Sequence, residues 1–152
     1  MVLRRAGIAV YVHFVWATWD RLPLLTSDIE TRIHHAIAAK CTELGGKLIA
    51  LGGVADHVHL LVGLPATISL AEFIGGVKGA SSHLATHEAL PSGAFFKWQG
   101  AYGAVSVSPH LLPEVTAYIA HQRQHHADKT LIIAWEHLPA TQKSPGADIT
   151  GA

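Results

Sequence analysis

The chain has 152 residues, 49% apolar and 14% charged, enough for one buried core but too short for two full domains. It carries no run of about 18 apolar residues, which excludes a membrane-spanning helix of the usual length. Its 11 basic and 11 acidic residues cancel, which excludes polyanion binding driven by overall charge. Twelve histidines are many for this length and point to metal or phosphate chemistry. Met1 to Ala17 weakly imitates a signal peptide, with Arg4 and Arg5 ahead of an apolar run, but Tyr11 and His13 interrupt that run and favour a strand. The lone Cys41 cannot form an internal disulfide and reads as a small buried residue, in keeping with a reducing cytoplasm.

Taken in chain order, Gly7 to Thr18 is rich in Val, Tyr, Phe and Trp and predicts a first strand. Thr26, Ser27 or Asp28 can cap a helix running to about Leu44, where Gly45 and Gly46 stop it. Lys47 to Val54 and His57 to Gly63 predict two strands joined by a hairpin turn at Ala55 and Asp56. Ser69 can cap a helix from Leu70 to about Glu88, weakened by Gly75, Gly76 and Gly79. Gly103 to Ser108 predicts a fourth strand, and Pro113 fits the first turn of a last helix that reaches about Ala127. After Trp135 the chain turns to Ser, Pro, Gly and Thr and is expected to be disordered. The division is therefore a single domain over 1–130 and a tail over 131–152. The order βαββαβ predicts an α+β, ferredoxin-like sandwich: an antiparallel sheet with helices on one face and an extra C-terminal helix.

Two stretches carry chemistry. In Asp56-His57-Val58-His59-Leu60-Leu61-Val62, strand alternation projects His57 and His59 from one face, roughly 6–7 Å apart at the backbone. Two imidazoles so placed can converge on one divalent cation. A half-exposed strand that happens to carry two histidines is the plainer reading. On the last helix, Tyr118 and Gln122 are four residues apart and share a face. A glutamine carbonyl can complete a metal shell, and a tyrosine can act as a covalent nucleophile. An ordinary amphipathic helix with a packed tyrosine and a solvated glutamine has the same spacing.

Taken together, these stretches resemble the single-tyrosine HUH transposases of the smallest bacterial insertion sequences, a group that includes the REP-associated tyrosine transposases. HUH stands for histidine, hydrophobic residue, histidine. The matching blocks are His13 to Trp16, Asp56 to Val62, Lys78 to Ser82, Trp98 to Ser108, and Tyr118-Ile119 with Gln122, His125 and His126. They occur in family order across most of the chain. The resemblance implies a metal site of His57, His59 and Gln122 loaded with Mg²⁺ or Mn²⁺. It implies that Tyr118 attacks a phosphodiester of single-stranded or hairpin DNA, leaving a 3′-hydroxyl and a 5′-phosphotyrosine. It further implies a homodimer in which one subunit's tyrosine helix completes the other's histidine site.

Contacts to DNA are expected from Lys78, Ser81 and Ser82 through backbone phosphate, and from a basic cluster of Arg123, His125, His126 and Lys129. A solvated helix face accounts for Lys78 equally well. Trp98 and Tyr102 can stack on bases, although aromatics beside a strand more often pack in a core. His13 can lie beside the histidine pair if the first and third strands are neighbours, either as part of the site or as a structural histidine. Two other classes of function stay open: a module that holds single-stranded DNA or RNA without cutting it, and a histidine-rich metal buffer. A host-retained nuclease acting on repeated palindromes would share the transposase chemistry.

Overall fold

The computed structural model describes residues 7–90, 94–128 and 136. The strands are β1 (Tyr11–Ala17), β2 (Lys47–Val54), β3 (His57–Gly63) and β4 (Gly103–Val107). The helices are α1 (Ser27–Glu43), α2 (Leu70–Leu84), α3 (Leu112–Ala120) and α4 (Gln122–Asp128). The sheet is antiparallel throughout, in the order β2-β3-β1-β4. This is the ferredoxin-like α+β sandwich expected from the element order.

Local chemistry explains most boundaries. The Ser69 hydroxyl accepts from Glu72 N at 3.1 Å and caps α2 as expected. Thr26 occupies the cap position of α1, but no side chain closes that end. After α1, Gly45 takes φ 81° and lets Gly46 N return to Cys41 O at 2.8 Å, a left-handed stop that glycine adopts without steric cost. The three glycines of α2 do not break it, and one π-helical turn over Ala85–Ala89 carries the helical path to its expected end.

The two central strands are buried on both faces. Val12, Phe14, Trp16, Val58, Leu60 and Val62 face α1 and α2 and pack with Ile33, Ile37 and Phe73. The opposite face carries Leu61, which packs with Val107, Val115 and Ile119 from β4 and α3. The helices of the sandwich lie on one face as expected, and the extra C-terminal helix covers the other. α1 and α2 share a face, whereas α3 packs on β2 and β3 from the other side.

A correction concerns the last helix, which is broken at His121 (φ −111°, ψ 29°). The carbonyl of Ala117 accepts from His121 Nδ1 at 2.7 Å, and that of Tyr118 accepts from Gln122 Nε2 at 3.2 Å. These side chains compete for carbonyl oxygens that a continuous helix would satisfy through its backbone, and such competition bends or ends helices. Residues 1–6, with Arg4 and Arg5, lie outside the described residues, as do Lys129 and the expected disordered tail apart from Glu136. Among the described residues, no helix is long and apolar enough to cross a membrane.

Candidate active site

The site forms on the α3 face of the sheet. Strand register places Gly52 of β2 opposite His59 of β3, and Val54 opposite His57. A Cβ on Gly52 would meet the Ile119 carbonyl oxygen at 2.3 Å. Only glycine allows α3 to approach this closely. That approach sets Tyr118, the preceding residue, against His59, with ring centroids 6.1 Å apart. His57, His59, Tyr118 and Gln122, all expected at the site, are thus brought together and buried.

The imidazoles are oriented from behind. His57 Nδ1 donates to Asp56 Oδ1 at 2.7 Å, and Arg21 Nε holds the other Asp56 oxygen at 3.1 Å. His59 Nδ1 lies 2.9 Å from His13 Nε2. With both Nδ1 atoms engaged, both Nε2 atoms face inward, the arrangement that metal-binding histidines adopt. His13 is fully buried on β1 beside the pair, and its own Nδ1 has no partner among the described residues.

Sequence reasoning missed one central group, left Asp56 without a role and assigned His126 only to a basic DNA-contacting cluster. Glu136 lies inside the segment expected to be a tail, yet its carboxylate stands in the middle of the site. Oε2 is 3.1 Å from His59 Nε2 and 3.3 Å from His57 Nε2, and Oε1 accepts the Tyr118 hydroxyl at 2.6 Å. His126 Nε2 is 3.1 Å from His57 Nε2 and 3.2 Å from Gln122 Oε1. Its signal was present in the sequence: His126 follows Gln122 by four residues and so shares its helix face. Asp56 was visible in the motif without an assigned function. No spacing rule reaches Glu136. Together His57, His59, His126 and Glu136 each offer a ligand atom, all within 4.8 Å of one another. Gln122 Oε1 touches this group through His126 while its amide nitrogen is tied to the Tyr118 carbonyl.

Protonation follows the geometry. Burial alone would raise the Glu136 carboxyl, but hydrogen bonds from His57 and His59 and the Tyr118 hydroxyl hold it far below the usual carboxylate range. Burial works to lower His57, yet Asp56 and Glu136 together bring it above its ordinary value. Burial lowers His59 despite Glu136, and burial with the charge of His57 lowers His126. His13 is lowered to about 3, by burial and then by His59.

The residues expected to contact DNA are placed differently. Ser81 is buried; it donates to Val77 O at 2.8 Å and accepts from Trp98 Nε1 at 3.0 Å. Its hydroxyl is thus engaged within the fold. Lys78 is neither solvated nor free, because its Nζ donates to Gln99 O at 2.6 Å and burial lowers its pKa. Ser82 is half-buried on the same helix. Arg123 is largely exposed and paired with Glu30. Trp98 lies edge-on to Trp16 and Phe96, and Tyr102 packs near Phe14, so both aromatics belong to the core.

The chain is similar to known transposases. The chain is 23% identical over 116 residues to the ISDra2 transposase TnpA of Deinococcus radiodurans, covering 72% of this chain and 81% of that one. A crystal structure of a protein assigned as a transposase in Deinococcus radiodurans R1 superposes with a TM-score of 0.61 at 26% identity, covering 80% of this chain and 98% of the other. The fold also matches a REP-associated tyrosine transposase bound to a REP hairpin, with a TM-score of 0.58 at 14% identity over 94% of this chain and 97% of the other. The family model described as IS200-like transposase matches residues 8–122, and the chain belongs to that family.

Proposed function

We propose that this DNA transposase cuts and rejoins single-stranded, hairpin-forming DNA through a covalent bond to Tyr118. The observation that carries the reading is a single bridge. One oxygen of Glu136 accepts the Tyr118 hydroxyl, and the other lies against both histidines of the HUH motif. A nucleophile and a metal-type site therefore meet around one carboxylate. A DNA-holding module would need no such meeting. That a structurally similar transposase binds a REP hairpin supports a folded single strand as the substrate.

The donor set suits a divalent ion, because the two Nε2 atoms face inward and a carboxylate and an amide oxygen stand beside them. His57, His59 and Gln122 would hold Mg²⁺ or Mn²⁺, which when bound withdraws charge from the scissile phosphate. Asp56 and His13 fix the ring orientations from behind. Tyr118 Oη, oriented by its 2.6 Å hydrogen bond to Glu136 Oε1, would attack phosphorus, and the proton it gives up is balanced by the one the leaving 3′ oxygen takes up. The bond from phosphorus to the 3′ oxygen breaks, leaving a free 3′-hydroxyl and a 5′-phosphate on the tyrosine. A second 3′-hydroxyl reverses the exchange. One phosphodiester replaces another, so rejoining needs no nucleotide triphosphate.

The test is incubation of the full chain with hairpin single-stranded DNA and Mn²⁺, followed by a denaturing gel. A protein–DNA adduct that disappears in Tyr118→Phe supports the transferase. Intact DNA in tight complex would support a holding module instead.

A further inference from the structure

We propose that the ion's protein shell includes His126 and Glu136 as well as the motif histidines, and that this shell selects a transition metal over Mg²⁺. The inference rests on the preceding reading of the histidine pair as a metal site and goes beyond it in ligands and selectivity.

Geometry comes first. His57 Nε2 to His126 Nε2 is 3.1 Å, His57 Nε2 to Glu136 Oε2 is 3.3 Å, and His59 Nε2 to Glu136 Oε2 is 3.1 Å. His126 Nε2 to Glu136 Oε1 is 3.5 Å. Ligands bonded at about 2.0–2.1 Å to one tetrahedral centre stand roughly 3.3 Å from one another. The three separations that involve His57 Nε2 and His59 Nε2 lie near that value, and the four ligand atoms all fall within 4.8 Å of one another.

Hydrogen counting gives an independent reason. His57 Nδ1 carries the hydrogen donated to Asp56, so a cation at Nε2 would take the place of any second proton on that ring. His126 Nε2 faces His57 Nε2, Gln122 Oε1 and Glu136 Oε1, yet it can carry at most one hydrogen. At least two of its three contacts would set acceptor against acceptor. A cation among these atoms converts opposed lone pairs into ligand bonds.

Selectivity follows from donor chemistry. Mg²⁺ prefers oxygen ligands and surrenders its waters reluctantly, whereas imidazole suits later first-row metals, whose affinity rises from Mn²⁺ towards Zn²⁺. A shell of three imidazoles and one carboxylate should favour Zn²⁺, then Mn²⁺, and leave Mg²⁺ last. A fifth position is needed before Gln122 can join.

The test is calorimetric titration of the metal-stripped full chain with ZnCl₂, MnCl₂ and MgCl₂, without DNA. Mg²⁺ is expected to bind at least about ten-fold more weakly than Mn²⁺. His126→Ala and Glu136→Gln should each weaken Mn²⁺ at least about ten-fold, while His110→Ala at an exposed position leaves it unchanged. Circular dichroism checks folding, and Glu136→Asp, with its shortened reach, repeats the test if Glu136→Gln does not fold. Equal Mg²⁺ and Mn²⁺ affinity, or wild-type binding in the folded His126 and Glu136 variants, overturns the inference. Tyr118-dependent cleavage indifferent to His126→Ala would leave the proposed function standing and remove only this shell. Four-ligand binding without any DNA adduct would do the reverse.

Discussion

The hydroxyl of Tyr118 donates a 2.6 Å hydrogen bond to Glu136, a residue eighteen positions further along the chain. The phenol is buried, at 3% exposure, and the bond fixes its oxygen beside the histidine pair. Removing that oxygen separates chemistry from folding. Tyr118→Phe should abolish the covalent DNA adduct while costing only about 1–3 kcal/mol, the range for a hydrogen bond to a charged group. Gel analysis and urea denaturation of one preparation measure both. An adduct that survives the substitution would rule out the phenol as nucleophile.

Asp56 acts through His57. It accepts from Nδ1, which leaves Nε2 facing the site, and Arg21 holds its second oxygen. Replacing a carboxylate of this kind commonly costs about 10–100-fold in metal affinity. Asp56→Asn should show that loss in a Mn²⁺ titration, with the circular dichroism spectrum unchanged. Unaltered affinity would mean that His57 needs no support from behind.

Gly52 sets how closely the tyrosine helix approaches the sheet. An added methyl group would collide with the Ile119 carbonyl, which is backbone and cannot rotate away. Gly52→Ala should therefore destabilise the protein by about 1–3 kcal/mol and reduce adduct formation together with stability. Thermal denaturation and the gel assay report the two effects. A variant as stable and active as wild type would show that α3 does not depend on this contact.

Metal-free stability should decline on acidification. The unfolded chain protonates its histidines near 6.5, whereas folded His13 resists protonation until about pH 3, and His59 and His126 are also lowered. Each contributes stability that is complete above about 6.5 and drains away as pH falls, at up to about 1.4 kcal/mol per pH unit for one proton. Glu136, held low, adds a loss that begins as pH falls below the ordinary carboxylate range. His57 runs the opposite way: its raised value favours the fold below about 6.5 and loses that effect as pH rises through its folded value. Urea midpoints between pH 7.5 and 5 should fall on balance, with a shallower slope in His13→Leu. A flat profile would contradict the buried, neutral state of His13.

Much of this was legible because strand alternation and helix spacing are local rules. They placed His57 and His59 on one face and Tyr118 and Gln122 on one helix side. The break at His121 was not legible, since it arises when His121 and Gln122 side chains compete for specific carbonyls. The burial of Ser81 depended on Trp98 arriving from a distant loop to donate to its hydroxyl. Glu136 was hidden for a stronger reason. Its composition-poor neighbourhood predicts a tail, and only long-range folding brings its carboxylate to β3.

In this structure α3 packs on the sheet of its own chain, so Tyr118 and the histidine pair stand together within one polypeptide. We propose that such a chain assembles the site without the exchange of tyrosine helices that the resemblance implies. Mixing two crippled proteins, Tyr118→Phe and His57→Ala, should then yield no more adduct than either alone, and wild-type yield per molecule should persist on dilution. Rescue in the mixture would reveal traded helices. Without rescue, a lone copy reaching a hairpin in a cell would be competent on arrival, with no need to find a mate first.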